Sequence, residues 1–262
     1  MIRVANAPVS YGAFELTVGV LPNVPDAEQV LDAIAAAGYE GTELGPRGYF
    51  GEGATLRHRL DERHLALCGA FVELDFGGDD HTALAATLDV LDGYGATPVL
   101  CDHGPRDGEV DLQGVQRAVD FTRGRGYEPV FHHHMGTRVQ TPAEIERLLE
   151  GTDVALLLDT GHLAAGGGDP VSALRDWRAR VAYVHLKDVR LDDLRRSGDW
   201  HAAFCELGTG DVDLEEFFAE LDGYAGWIVV EQDWVPQPGE DPAPQIEAQA
   251  RNRQWLRDHA GF

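Results

Sequence analysis

A closed (β/α)₈ barrel of the TIM type, formed by residues 1–262 as a single domain, is the fold class that the sequence predicts. Three observations carry this. Short β-rich runs alternate regularly with amphipathic helical stretches, which implies a parallel sheet. The runs are rich in Val, Leu and Ile on both faces, as strands covered by helices are. Eight strand-helix units fit the chain, a number that favours closure over an open doubly wound sheet, and no Gly-x-Gly-x-x-Gly follows an early strand.

In order, the strand candidates are Ile2–Asn6, Gly41–Leu44, Leu65–Val72, Thr97–Cys101, Pro129–His132, Val154–Asp159, Val181–Leu186 and Trp227–Glu231. Between them, apolar residues recur at helical spacing over Asp26–Ala37, His81–Gly93, Leu112–Arg123, Pro142–Glu150 and Leu214–Leu221, with a last helix around Gln245–His259. Thr141-Pro142 with Glu144 marks one helix start, and Gly38 marks one helix end. Residues Arg190–Asp211 form the longest unpatterned stretch, expected to be a lid after strand seven. Gly166-Gly-Gly168 is expected to act as a flexible hinge.

Composition narrows the function. A net charge of −24 lacks the basic footprint that nucleic acid or an anionic membrane demands. No apolar run approaches the roughly 20 residues of a membrane span. Met1-Ile-Arg-Val runs straight into a strand, so no signal peptide is expected and the cytoplasm is the default location. Cys68, Cys101 and Cys205 form no CxxC pair, and Cys68 and Cys101, inside predicted strands, read as small buried apolar residues.

Four strands of the second half end on residues that hold divalent metals: His132, Asp159, His185 and Glu231. Parallel strands of a barrel share a C-terminal rim, where active sites form, so these four are expected to converge as ligands. Two imidazoles and two carboxylates suit Mn²⁺, Co²⁺, Fe²⁺ or Zn²⁺ better than Mg²⁺ or Ca²⁺. Alternation along a strand sends His132 and His134 to one side and His133 to the other. His132 is taken as ligand and His134 as a substrate-facing catalytic group, although alternation alone leaves those two roles interchangeable.

Lys187 is the only lysine of the chain and lies two positions after His185. A buried lysine can be tuned for proton transfer where arginine cannot, so Lys187 is a catalytic candidate. His162 falls three residues after Asp159 in a predicted turn, as an acid or base. Glu43, at the end of strand two, joins the catalytic candidates. Glu73, His103 and His133 are expected to bind substrate, with arginine ion pairs as the alternative for the two glutamates.

These residues lie in segments that resemble the sugar isomerase/epimerase superfamily of xylose-isomerase-like barrels, and within it the inosose dehydratase branch. The segments are Gly38-Tyr-Glu-Gly-Thr-Glu-Leu-Gly45, His132-His-His-Met-Gly-Thr137, Leu158-Asp-Thr-Gly-His162, His185-Leu-Lys-Asp-Val-Arg190 and Gly226-Trp-Ile-Val-Val-Glu-Gln-Asp233. The resemblance implies Mn²⁺ or Co²⁺ at His132, Asp159, His185 and Glu231, where other branches place Glu on strand five. It implies loss of water from a keto-inositol through an enediolate. The runner-up is a keto-sugar isomerase or epimerase, which shares the first half of that reaction, and a non-catalytic sugar-binding barrel comes after it. The partner expected is a small polyol or keto-sugar, with homo-oligomerisation left open. Two rim stretches depart from the dehydratases: Gln232-Asp-Trp-Val-Pro-Gln-Pro, in place of an Ala-Glu-Gln-Asp-Pro run, and Phe204-Cys-Glu-Leu-Gly-Thr-Gly210.

Overall fold

Barrel closure is made by the first and last strands. In a computed structural model, which describes residues 1–104 and 106–262, β1 (Ile2–Asn6) pairs in parallel along its whole length with β10 (Gly226–Val230). The other barrel strands are β2 (Gly41–Glu43), β3 (Ala66–Leu74), β4 (Thr97–Asp102), β5 (Val130–His132), β6 (Ala155–Asp159) and β7 (Val181–Leu186), each beside its sequence neighbour. A short antiparallel ribbon, β8 (Asp188–Val189) and β9 (Phe204–Cys205), follows β7 outside the barrel.

Helices fill the connections: α1 (Ala27–Ala37), α2 (Gly53–Glu62), α3 (Thr82–Leu91), α4 (Leu112–Gly124), α5 (Pro142–Gly151), α6 (Thr160–Ala165), α7 (Pro170–Trp177), α8 (Leu191–Ser197), α9 (Trp200–Ala203), α10 (Leu214–Ala219) and α11 (Ala243–His259), of which α1, α3, α4, α5, α10 and α11 lie where the periodicity predicted helices. Local chemistry sets their ends. Asp26 and Gln29 close a capping box on α1, and Thr141 and Glu144 do the same on α5 above Pro142. No helix among the described residues is long and apolar enough to cross a membrane.

Two expectations are corrected. Arg190–Asp211 is not an unpatterned loop, because α8, α9 and β9 lie within it. These elements are too short to show an apolar period. Gly166–Gly168 is not a free hinge. The three glycine N–H groups donate to the carbonyls of His162, Ala164 and Leu163, so the segment is the tied-down end of α6.

Two apolar layers hold the barrel. One lies between strands and helices. The other fills the interior, with Ala5, Cys68, Val99, Val130, Leu157, Tyr183 and Val229 pointing inward from seven strands. That interior layer positions everything above it. Side chains along a strand repeat every two residues. Stepping up two from Val130, Leu157, Tyr183 and Val229 therefore reaches His132, Asp159, His185 and Glu231. A further step from three of these reaches His134, Lys187 and Asp233.

Candidate metal centre and active site

The first tier above the apolar layer is buried: His132, Asp159, His185, Glu231 and Glu43 are each at most 5% exposed. His132 Nε2 lies 3.9 Å from Asp159 Oδ2. His185 Nδ1 lies 3.7 Å from that same oxygen and 3.0 Å from Glu231 Oε2. Two overlapping triads, His132/Asp159/His185 and Glu43/His185/Glu231, each bring their donor atoms within 4.8 Å of one another.

This donor set fits a divalent cation. Asp159 Oδ2 and His185 Nδ1 are fully buried without a hydrogen-bond partner, despite their near neighbours. Unsatisfied buried acceptors are costly unless a ligand completes them. The imidazole is also oriented for ligation, because His185 Nε2 donates to Glu43 Oε1 at 3.0 Å, which aims Nδ1 at Asp159 and Glu231. Glu43 Oε1 in turn accepts from Tyr183 Oη at 3.0 Å. Thus Glu43, expected as a catalytic group, lines the cavity but has one oxygen committed to His185 and Tyr183. A third group, His132/His134/His162, also has converging nitrogens. There the Lys187 ammonium already stands 3.1 Å from His162 Nε2, which opposes a second cation.

Lys187 belongs to the second tier. Its Nζ lies 2.8 Å from Asp233 Oδ1, 3.0 Å from Glu231 Oε2 and 3.2 Å from Asp159 Oδ2. Burial pushes the Lys187 pKa down, but the Asp159, Asp233 and Glu231 carboxylates overcome it and hold the ammonium well above its usual value. Burial likewise works against Asp159 ionising, and Lys187 beside it reverses this. The lysine is thereby a proton or hydrogen-bond donor, never a base near neutral pH. Its backbone is fixed by the Thr160 hydroxyl, which accepts from Lys187 N and donates to Lys187 O. Gly161 is required there, since a Cβ would fall 2.6 Å from Lys187 Cβ.

The histidines separate by placement. His134 lines the cavity, and its Nδ1 donates to Met135 O at 2.7 Å, turning Nε2 into an acceptor. Burial and the nearby Lys187 lower its pKa, so the ring is neutral. His162 is fully buried and does not line the cavity. The expected turn is the first turn of α6, capped by Asp159 Oδ1, which accepts from His162 N. Its ring lies behind Lys187, 3.2 Å from Asp233 Oδ2, and burial pushes its pKa to about 3. His133, expected to bind substrate, faces out of the barrel and its Nε2 accepts from Asp159 N at 3.1 Å. Glu73 and His103 reach the cavity mouth but are largely exposed, paired with each other at 3.2 Å and not with arginines.

Asp233 and Asp188 escaped the sequence reading. The same step of two that leads from His185 to Lys187 leads from Glu231 to Asp233. Asp188 faces the opposite way, and its buried carboxylate accepts from the N–H groups of Val189, Gly208, Gly210 and Val212. It thereby ties the segment after β9 to the strand that presents Lys187. The cavity above these tiers has a volume of about 400 Å³. His201, from α9, reaches it.

Comparison with known proteins agrees with the architecture. Residues 106–259 match the family model described as xylose isomerase-like TIM barrel. An inosose dehydratase of Lacticaseibacillus casei is 32% identical over 247 residues, covering 80% of this chain and 83% of that protein. Among solved structures, D-allulose 3-epimerase from Methylomonas sp. in complex with D-allulose superposes with a TM-score of 0.70 at 18% identity, covering 98% of this chain and 97% of the other. The IOLI protein with a bound zinc atom superposes with a TM-score of 0.67 at 13% identity, covering 99% and 98%.

Proposed function

Because the chain belongs to the xylose isomerase-like TIM-barrel family, we propose that it is a divalent-metal-dependent hydro-lyase that removes water from a keto-inositol or a similar polyhydroxy ketone. His132, Asp159, His185 and Glu231 are the proposed ligands, and Mn²⁺ or Co²⁺ suits their mixed nitrogen and oxygen set best, with Zn²⁺ or Fe²⁺ also compatible. When bound, the metal supplies Lewis-acid polarisation of the ketone and its neighbouring hydroxyl.

The protein's own residues supply the proton chemistry. Neutral His134 is the proposed base, because its Nε2 is a free acceptor in the cavity. It takes the proton from the carbon beside the ketone, leaving an enediolate. Lys187 then donates a proton to the departing β-hydroxyl, which leaves as water. His162 and Asp233 keep Lys187 aimed, and Glu43 keeps His185 in its ligating tautomer. Buried free cysteines and the lack of a spanning helix among the described residues are compatible with a cytoplasmic enzyme.

One observation carries the lyase over the isomerase: a buried lysine, held protonated by three carboxylates beside the donor cluster. An isomerase returns a proton to carbon and has no leaving hydroxyl to protonate, so it needs no fixed cationic donor at that point. The likeness to D-allulose 3-epimerase is the observation that favours the second reading, an isomerase or epimerase acting on a keto-sugar. Incubation of Mn²⁺-loaded protein with keto-inositols and common ketoses in D₂O separates the two. Absorbance of a dione is expected. Deuterium incorporation into an isomerised ketose without dione selects the second reading, and neither signal rejects both.

A further inference from the structure

The same cavity carries a second, chemically different surface. Apolar side chains line it beside the polar tiers: Val9 and Phe71, the latter edge-on to the His132 ring, pack onto the barrel's interior layer, and Phe14, Leu16 and Val235 come from the loops after β1 and β10. Leu16 is 77% exposed and its loop neighbour Val20 69%, which apart from Met1 makes them the large apolar side chains most exposed among the described residues. A single exposed leucine is ordinary. An exposed leucine at the mouth of a polar site, beside a phenylalanine, is a surface awaiting contact.

The wall is built rather than loose. The Thr17 hydroxyl donates to Gly12 O and accepts from Phe14 N at 3.1 Å, fixing the turn that presents Phe14 and Leu16. Behind it, Gly12 has a positive φ of 75° and sits where a Cβ would fall 2.8 Å from Pro236 and 2.9 Å from Trp234. The loop after β1 is thus locked onto the segment after β10 that supplies Val235. That segment is where the sequence departs from the dehydratases it otherwise resembles.

A ring with oxygen on every carbon is poorly served by such a wall. Each hydroxyl buried against it loses water and gains no partner, which is unfavourable. The cavity, at about 400 Å³, is also in the size class of sites that engulf ligands larger than one six-membered polyol ring. Glu15 and Glu73 flank the wall and disfavour an anionic group. Resting on the reading of the site as a keto-polyol enzyme, we infer that the substrate bears an uncharged apolar substituent, alkyl or aryl, which lies against Val9, Phe14, Leu16 and Val235 while the polyol ring faces the donor cluster.

The test is calorimetric binding of mono-O-methyl, mono-O-butyl and mono-O-phenyl ethers of myo-inositol to the Mn²⁺-loaded protein. Full burial of each methylene tightens binding by about fourfold, so butyl, three methylenes longer, should exceed methyl by up to about sixtyfold, and an excess above about tenfold is the expected result. In Leu16→Ser and Val235→Ser that ratio should fall below about threefold, the loss of affinity falling mainly on the butyl ether. Equal affinities across the series, no binding at millimolar concentration, or a ratio that survives both substitutions would overturn the inference. So would a change of oligomeric state on Leu16→Ser without a change in that ratio, since the wall would then be an interface between copies. Alkyl dependence with no dione or exchange from any ketone would instead reject the reaction and leave the subsite standing.

Discussion

Two sectors of one rim, both built from acid–histidine pairs at strand ends, differ in every physical respect. On the side of β5, β6, β7 and β10, the pairs are buried and share partners: Asp159 Oδ2 alone lies within 4 Å of His132, His185 and Lys187. On the side of β3 and β4, Glu73 and His103 stand 51% and 68% exposed and touch each other alone among ionic partners. Position at a strand end brings a side chain to the rim. Burial beside other charges is what gives it an altered protonation state and a fixed geometry, because solvent screens the exposed pair. The deep sector should therefore respond to substitution by orders of magnitude and the shallow one hardly at all.

The largest contrast is expected at Asp159. Asp159→Asn keeps an oxygen to cap α6 but removes the charge that His132, His185 and Lys187 surround. Bound metal, measured by elemental analysis after dialysis, should drop to a small fraction of wild type. Turnover should fall on the order of 10³-fold or more, the scale of losing Lewis-acid stabilisation. Wild-type metal content in this variant would remove Asp159 from the ligand set. Next in size is Lys187→Met, for which kcat should fall by roughly 10²–10⁴-fold, the range of a general acid, while metal content stays at wild type. Lys187→Arg retains the charge but not the compact donor. Full activity in Lys187→Arg would exclude proton donation by this residue.

An intermediate case lies between the sectors. Asp102, at the end of β4, is buried but satisfied: Arg138 approaches it through N, Nε and Nη2, and Gly104 through N. Burial opposes its ionisation, and the Arg138 hydrogen bonds outweigh this to hold its pKa below the usual carboxylate value. The folded state therefore binds the proton less readily than the unfolded chain. The stability it contributes is present above the ordinary carboxylate pKa of about 4 and is lost as pH falls through the lower folded-state value. Asp102→Asn should cost roughly 1.5–3 kcal/mol at neutral pH, as charged hydrogen bonds do. It should also flatten the acid limb of a plot of denaturation midpoint against pH. An unchanged acid limb would mean that the pair contributes nothing.

What could be read in the sequence followed from short periods. Apolar runs ending abruptly in His132, Asp159, His185 and Glu231 placed these four at strand ends, and Thr141-Pro142 with Glu144 marked the start of α5. What could not be read depended on distant partners or on residues facing the other way. That Glu43 serves His185 rests on a contact across 142 positions. That His162 lies behind Lys187 rests on the Asp159 cap starting a helix where a turn was expected. His133 lies away from the cavity because alternation turns it outward, toward the β6 backbone. Asp233 was legible by the same step of two but had no apolar run before it to draw notice.

The smallest effect expected is the one that tests the comparison most directly. Glu73 and His103 obey the strand-end rule as well as the deep residues do, and they line the mouth of the same cavity. If strand-end placement alone made a site, Glu73→Gln and His103→Ala would each cost activity comparable to Lys187→Met. The physical expectation is different. An exposed ion pair contributes about 0–1 kcal/mol, and the histidine can exchange its partner for water freely. A double-mutant cycle on denaturant unfolding should give a coupling below about 1 kcal/mol, shrinking further in high salt. Neither change should move kcat/KM for the proposed keto-polyol substrate by more than about threefold, a difference of under 1 kcal/mol in transition-state stabilisation. A tenfold loss confined to KM would instead make this pair a substrate contact at the mouth. The divide between the sectors would then run between binding and chemistry, and not between function and none.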